Sequence, residues 1–217
     1  MPHLEFRNGF ARLLAGAVGL TLAGTLVAAW ILGLPLAAHE NGPLEWTQEA
    51  ALLAAALFSG AAALGLRGAE RLAAYLATLL YLVFLLRELE LPPTGPVTTY
   101  LVSDAFRWHE AIALAVLVLP PIVAGRRHWR TFLRYGLGFQ GWPFVLAAGF
   151  VGLGAVFDGA PYLGGIADLG TFLEETAELA GYVVLATVAG WVLAGTCSEA
   201  TTTRAVALQT GEPAVTQ

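Results

Sequence analysis

The stretch RWHEAIALAVLVLPPIVAGRRHWR, residues 107–130, decides the fold. From Ala111 to Ala124 it carries no polar side chain. Arg107, Trp108, His109 and Glu110 stand at one end, and Arg126, Arg127, Trp129 and Arg130 at the other. An α-helix needs roughly 20 predominantly apolar residues to cross the hydrocarbon of a bilayer. A run of that order, with tryptophan near both ends and arginines massed at one, reads as a membrane span whose arginine-rich end faces the cytoplasm.

Five more stretches read the same way, so the expected spans are 13–36, 46–66, 72–91, 107–124, 139–157 and 175–196. Proline and glycine punctuate the gaps, as in Gly42-Pro43 and the run from Pro92 to Pro96. The gaps are short, which predicts antiparallel neighbours. The expectation is an all-α polytopic bundle of six transmembrane helices over residues 1–196, followed by a flexible cytoplasmic tail over 197–217, where the text turns Thr-rich and aperiodic.

Composition agrees. The chain has 217 residues, is 57% hydrophobic and 12% charged, with a mean hydropathy of +0.68. A soluble domain carries about twice that charge fraction. One or two soluble domains of this length could not bury so much apolar surface, whereas lipid accepts it on the outside of the fold. The net charge of −5 argues against a nucleic-acid partner. The 11 basic residues are all arginine, a bias that fits a GC-rich genome as well as any function. Cys197 is the only cysteine, which excludes an internal disulfide and a thiolate metal cluster.

The arginines test the layout independently. Arg7, Arg12, Arg67, Arg71, Arg126, Arg127, Arg130, Arg134 and Arg204 fall on one side of the alternation, and Arg87 and Arg107 on the other. This bias places both termini in the cytoplasm and the chain in a prokaryotic inner (plasma) membrane. Trp46 and Trp108 then lie near the outer interface, and Trp129 and Trp142 near the inner one. Arg7, Arg12 and the apolar run to Ala38 also resemble a signal peptide. The run is longer than the 7–15 residues, roughly, of a signal core, which favours an uncleaved first span. Small residues recur every fourth position, as Ala15, Gly19, Ala23 and as Ala186, Gly190, Ala194, and predict close helix packing within the bundle.

The acidic residues follow the opposite rule. Twelve of the 16 map to the outer side: Glu40, Glu45, Glu49, Glu88, Glu90, Asp104, Glu110, Asp158, Asp168, Glu174, Glu175 and Glu178. Helix N-termini stabilise some of these. Asp104 is expected as the N-cap of span 4, and Thr171 with Glu174 as a capping box before span 6. Glu88 and Glu90 resist that account, because they close span 3 where the helix dipole disfavours anions. Glu49, Glu110 and Glu178 lie about a turn inside their helices, where carboxylates are costly unless they face the bundle interior and find partners.

Four spans thus offer carboxylates at similar depth, and His109 adds an imidazole. Carboxylate and imidazole groups converging from several helices are how bundles hold divalent metals. Glu49, Glu88, His109, Glu110, Glu175 and Glu178 are the candidate metal ligands, in an outward-facing pocket binding a divalent cation. Arg87 and Arg107 are the candidates for binding an anionic headgroup. An enzyme built this way would be a metal-dependent hydrolase or transferase on a lipid or lipid-linked substrate. The alternative is a non-enzymatic scaffold, sensor or subunit, its charged layer being interhelical pairing. A transporter is disfavoured, because the cytoplasmic half offers only hydroxyls: Thr21, Thr25, Ser59, Tyr75, Thr78, Tyr81, Tyr182 and Thr187.

Overall fold

In hydrocarbon every backbone N–H and C=O must be bonded within the chain, so apolar runs between proline and glycine breaks become helices. The computed structural model describes residues 5–39, 41–89, 92, 94–160 and 162–210, with backbone only from 199 onward. Glu40, Glu90 and Glu212 lie outside the described residues.

The first helix, α1, spans Asn8–Leu32 and ends at Gly33, whose φ of +81° lets the chain bend into the single turn α2, Leu34–Ala37. Helix α3 runs Pro43–Gly65, opening on a proline whose missing N–H needs no partner in a first turn. A reversal through Gly68, at φ +56°, leads into α4, Gly68–Glu88. The short α5, Pro96–Leu101, precedes α6, Asp104–Ala124. Helix α7, Trp129–Gly136, and a 3-10 turn at Phe139–Gly141 lead into α8, Trp142–Phe157. A two-stranded antiparallel hairpin, β1 Tyr162–Leu163 and β2 Ile166–Ala167, precedes α9, Leu169–Thr210.

Among the described residues, six segments are long and apolar enough to cross a membrane: α1, α3, α4, α6, Phe139–Phe157 and the Leu169–Ser198 part of α9. The chain therefore has the character of a multi-pass membrane protein. Large apolar side chains such as Leu20, Trp30 and Val156 point outward, as suits a protein solvated by lipid.

Helix α9 is the centre. It packs along α3, α8 and α1, while α4 packs along α3. Half of the most apolar window of α9 is buried, against none of that of α6. Among the long helices and the described residues, α6 packs chiefly on α4, where the Tyr75 hydroxyl donates to the Leu117 carbonyl at 3.1 Å. One end of the bundle, which carries Arg67, Arg71, Arg126 and Arg134, is closed by aromatic rings. Phe10 packs edge-on to both Trp142 and Trp191. At this end Tyr135 of α7 faces the charge of Glu70, and burial first, then that charge, pushes its phenol above the ordinary range.

Several local expectations are corrected. Ser103, not Asp104, caps α6: its hydroxyl accepts from the Phe106 N–H at 3.2 Å. Helix α9 starts at Leu169, so Thr171 already lies inside its first turn and not at the N-cap position. The helix also continues to Thr210, through the segment that reads as an aperiodic tail; extending an existing helix is far easier than nucleating one. The face of Ala15, Gly19 and Ala23 is exposed, and a Cβ at Gly19 would meet nothing within 4 Å. Gly190 does pack, against the Phe58 ring of α3.

Candidate functional site

At the end opposite the arginines, α3, α4 and α9 bring carboxylates together. Glu45 and Glu49 stand on α3, Glu88 on the last turn of α4, and Glu174, Glu175 and Glu178 on α9. Glu88 is the hub, close enough to Glu49, Glu174 and Glu178 for their charges to interact. Glu175 feels the charges of Glu178, Glu174 and Glu45. Asp158, just past α8, adds its charge near Glu174 and Glu178.

Neutral groups hold this layer. The Tyr182 hydroxyl donates to Glu88 Oε1 at 2.8 Å, linking α9 to α4. Gln48 is fully buried on α3. Its Nε2 donates to Glu175 Oε2 at 2.6 Å and to the Glu175 carbonyl at 3.0 Å. Gln48 Oε1 is buried with no partner among the described residues. Glu45, nearly buried at 9% exposure, accepts from the Asn41 backbone N–H and so closes the turn before α3. Helix α8 contributes space instead of charge: a Cβ on Gly154 would lie 2.7 Å from Glu178 Cγ, so only glycine leaves room for that side chain.

The eight candidates fall into two groups. Glu49, Glu88, Glu175 and Glu178 lie in the α3/α4/α9 layer. Arg87, Arg107 and Glu110 instead line a separate polar cavity of about 600 Å³ between α4 and α6. His109 is exposed, and its Nδ1 lies 2.7 Å from the Tyr100 hydroxyl. Among the described residues, no three His, Cys, Asp or Glu side chains are grouped to hold one metal ion. Helix α6 stands outside the packed core, so its His109 and Glu110 do not join the α9 carboxylates. Arg87 feels Glu178 electrostatically, yet neither it nor Arg107 forms an ion pair with a described carboxylate.

Gln48 and Tyr182 are the polar partners of the glutamates; Tyr182, expected in the cytoplasmic half, instead belongs to the acidic layer through its bond to Glu88. A signal existed for both. Tyr182 follows Glu174 and Glu178 at successive four-residue steps, on one helical stripe. Gln48 is an amide set between Glu45 and Glu49 in an apolar helix, which is costly without a partner. The chain matches no protein-family model, and no curated protein or solved structure shows detectable similarity to it.

Proposed function

We propose that this chain is a non-enzymatic, multi-pass inner-membrane protein, a scaffold or complex subunit, whose acidic layer locks α3, α4 and α9 together. The arginine bias orients it with both termini in the cytoplasm and the carboxylates facing outward. The observation that carries this reading is the pair of interhelical hydrogen bonds, Gln48 to Glu175 and Tyr182 to Glu88. Each joins two helices, each ends on a carboxylate, and each uses a neutral donor. Polar side chains bonding across helices in lipid stabilise association by about 0.6–2 kcal/mol apiece. The test is thermal unfolding of the purified protein beside elemental analysis. A locking layer gives large stability losses in Gln48→Leu and Tyr182→Phe, with no stoichiometric metal in the wild type.

The divalent-cation pocket is the second reading, and one observation favours it. Glu49, Glu88, Glu174, Glu175 and Glu178 share one layer, and among the described residues Arg87, from the neighbouring cavity, is the cation whose charge reaches Glu178. A cation bound by two carboxylates and water would relieve that excess. Stoichiometric metal in the purified protein, lost in Glu49→Ala or Glu178→Ala, supports this reading over the first. A hydrolase or transferase acting on a lipid-linked substrate depends on such a metal, and Arg87 and Arg107, facing one polar cavity, supply its anion-binding groups.

A further inference from the structure

The apolar half of the bundle holds a second feature, independent of the carboxylate layer. Most hydroxyls there are satisfied. Thr21, Thr25, Thr78 and Thr187 donate to carbonyls of their own helices at 2.7–2.9 Å. Tyr75 bonds the Leu117 carbonyl. Ser59 and Tyr81 are the exceptions. As residues they are only 5% and 2% exposed, no hydrogen bond joins either side chain to another described residue, and both face open space.

Both line the same cavity, of about 460 Å³. Helices α3 and α9 form its floor, while α4 and α8 are its walls and do not pack along each other. Its room comes from small side chains, among them Ala62 on α3, Ala74 and Ala77 on α4, and Ala148 on α8. Phe132 and Tyr135 of α7, with Glu70 of the first turn of α4, close its arginine-rich end. The volume falls within the roughly 300–1,000 Å³ of small-molecule sites.

Depth narrows the occupant. Ser59 is six residues from the end of α3, roughly 9 Å at 1.5 Å per residue. Tyr81 is thirteen residues from the start of α4, roughly 20 Å, and a helical tyrosine leans back toward its own N-terminus. Both hydroxyls therefore sit near the middle of a hydrocarbon layer about 30 Å thick. A hydroxyl that faces an apolar cavity at this depth without an acceptor is costly. A phospholipid tail would fill the space but brings no acceptor, since its ester groups stay in the interfacial region. The missing group is an acceptor carried on an apolar body.

We propose that this cavity binds a lipid-soluble carbonyl compound of the quinone class, with Ser59 and Tyr81 donating to its carbonyl oxygens. Its apolar tail leaves through the gap between α4 and α8. The test titrates the detergent-purified full chain with a decyl-tailed benzoquinone, read by tryptophan fluorescence and by thermal shift. The expected result is saturable binding that raises the melting temperature. Tyr81→Phe and Ser59→Ala each weaken it about tenfold, the effect of one lost hydrogen bond. Ala77→Phe, which fills the cavity, abolishes it. The proposal is overturned if the wild type shows no saturable binding, or if Tyr81→Phe and Ser59→Ala, melting like the wild type without ligand, bind equally well. It is also overturned if a decyl chain lacking the ring binds as strongly, since a lipid tail is then the occupant. Should Ala77→Phe fail to fold, the two hydroxyl deletions decide.

Discussion

The Tyr182 hydroxyl donates to Glu88 Oε1 at 2.8 Å, joining two helices that each pack against α3. The contact reaches across from the centre of the bundle to the end of α4, where the helix dipole alone would disfavour an anion. Removing the donor leaves Glu88 among Glu49, Glu174 and Glu178 without its neutral partner. Tyr182→Phe is therefore expected to destabilise by about 1–3 kcal/mol, as for a lost hydrogen bond to a charged group. Thermal melts in detergent measure it. The double variant with Glu88→Leu should cost less than the sum of the two single changes, because they share one interaction.

Gln48 makes the corresponding link between α3 and α9. Gln48→Leu removes both donations to Glu175 and buries an apolar group beside a carboxylate, for an expected loss of about 1–3 kcal/mol. Glu175→Leu added to it should restore part of that stability, since replacing both polar partners with apolar groups can be nearly neutral. A double variant less stable than either single one would contradict the pairing.

The fit of α8 against α9 depends on absent side chains. A Cβ at Gly181 would lie 2.9 Å from Val151 Cγ2 and 3.1 Å from the Ala147 carbonyl. Gly181→Val should separate the two helices and cost about 1–3 kcal/mol through overpacking. Gly19→Val on α1, where nothing lies within 4 Å, should leave the melting temperature unchanged. Equal effects at the two positions would count against this packing.

His109 and Glu110 stand on α6, away from the α9 carboxylates. His109→Ala and Glu110→Gln are each expected to shift stability by less than about 0.5 kcal/mol, as surface substitutions do, and to leave any bound cation in place. Loss of metal in either variant would bring α6 back into the site and revive a cage that spans α3, α4, α6 and α9.

Orientation has its own test. With Cys197 replaced by serine, a single cysteine at Asp168 or at Arg127 reports its side of the membrane through a membrane-impermeant maleimide. Intact cells should label Asp168→Cys and spare Arg127→Cys. The reverse pattern would invert the reading drawn from the arginines.

The sequence by itself determined that the chain builds six apolar helices, roughly where they begin and end, and that its carboxylates crowd one end. Those properties are local: hydrocarbon thickness fixes span length, and proline and glycine fix the breaks. The tertiary structure alone decided which polar groups meet. That depends on the angle of each residue around its helix and on which helices are neighbours, and neither is written in hydropathy. So Glu88 lies within electrostatic reach of Glu49 and of Glu178, while Glu110, at the same apparent depth, faces a different cavity because α6 packs outside the core. For the same reason Gln48 and Tyr182 emerged as the partners of the glutamates, and Ser59 and Tyr81 as hydroxyls of a shared cavity.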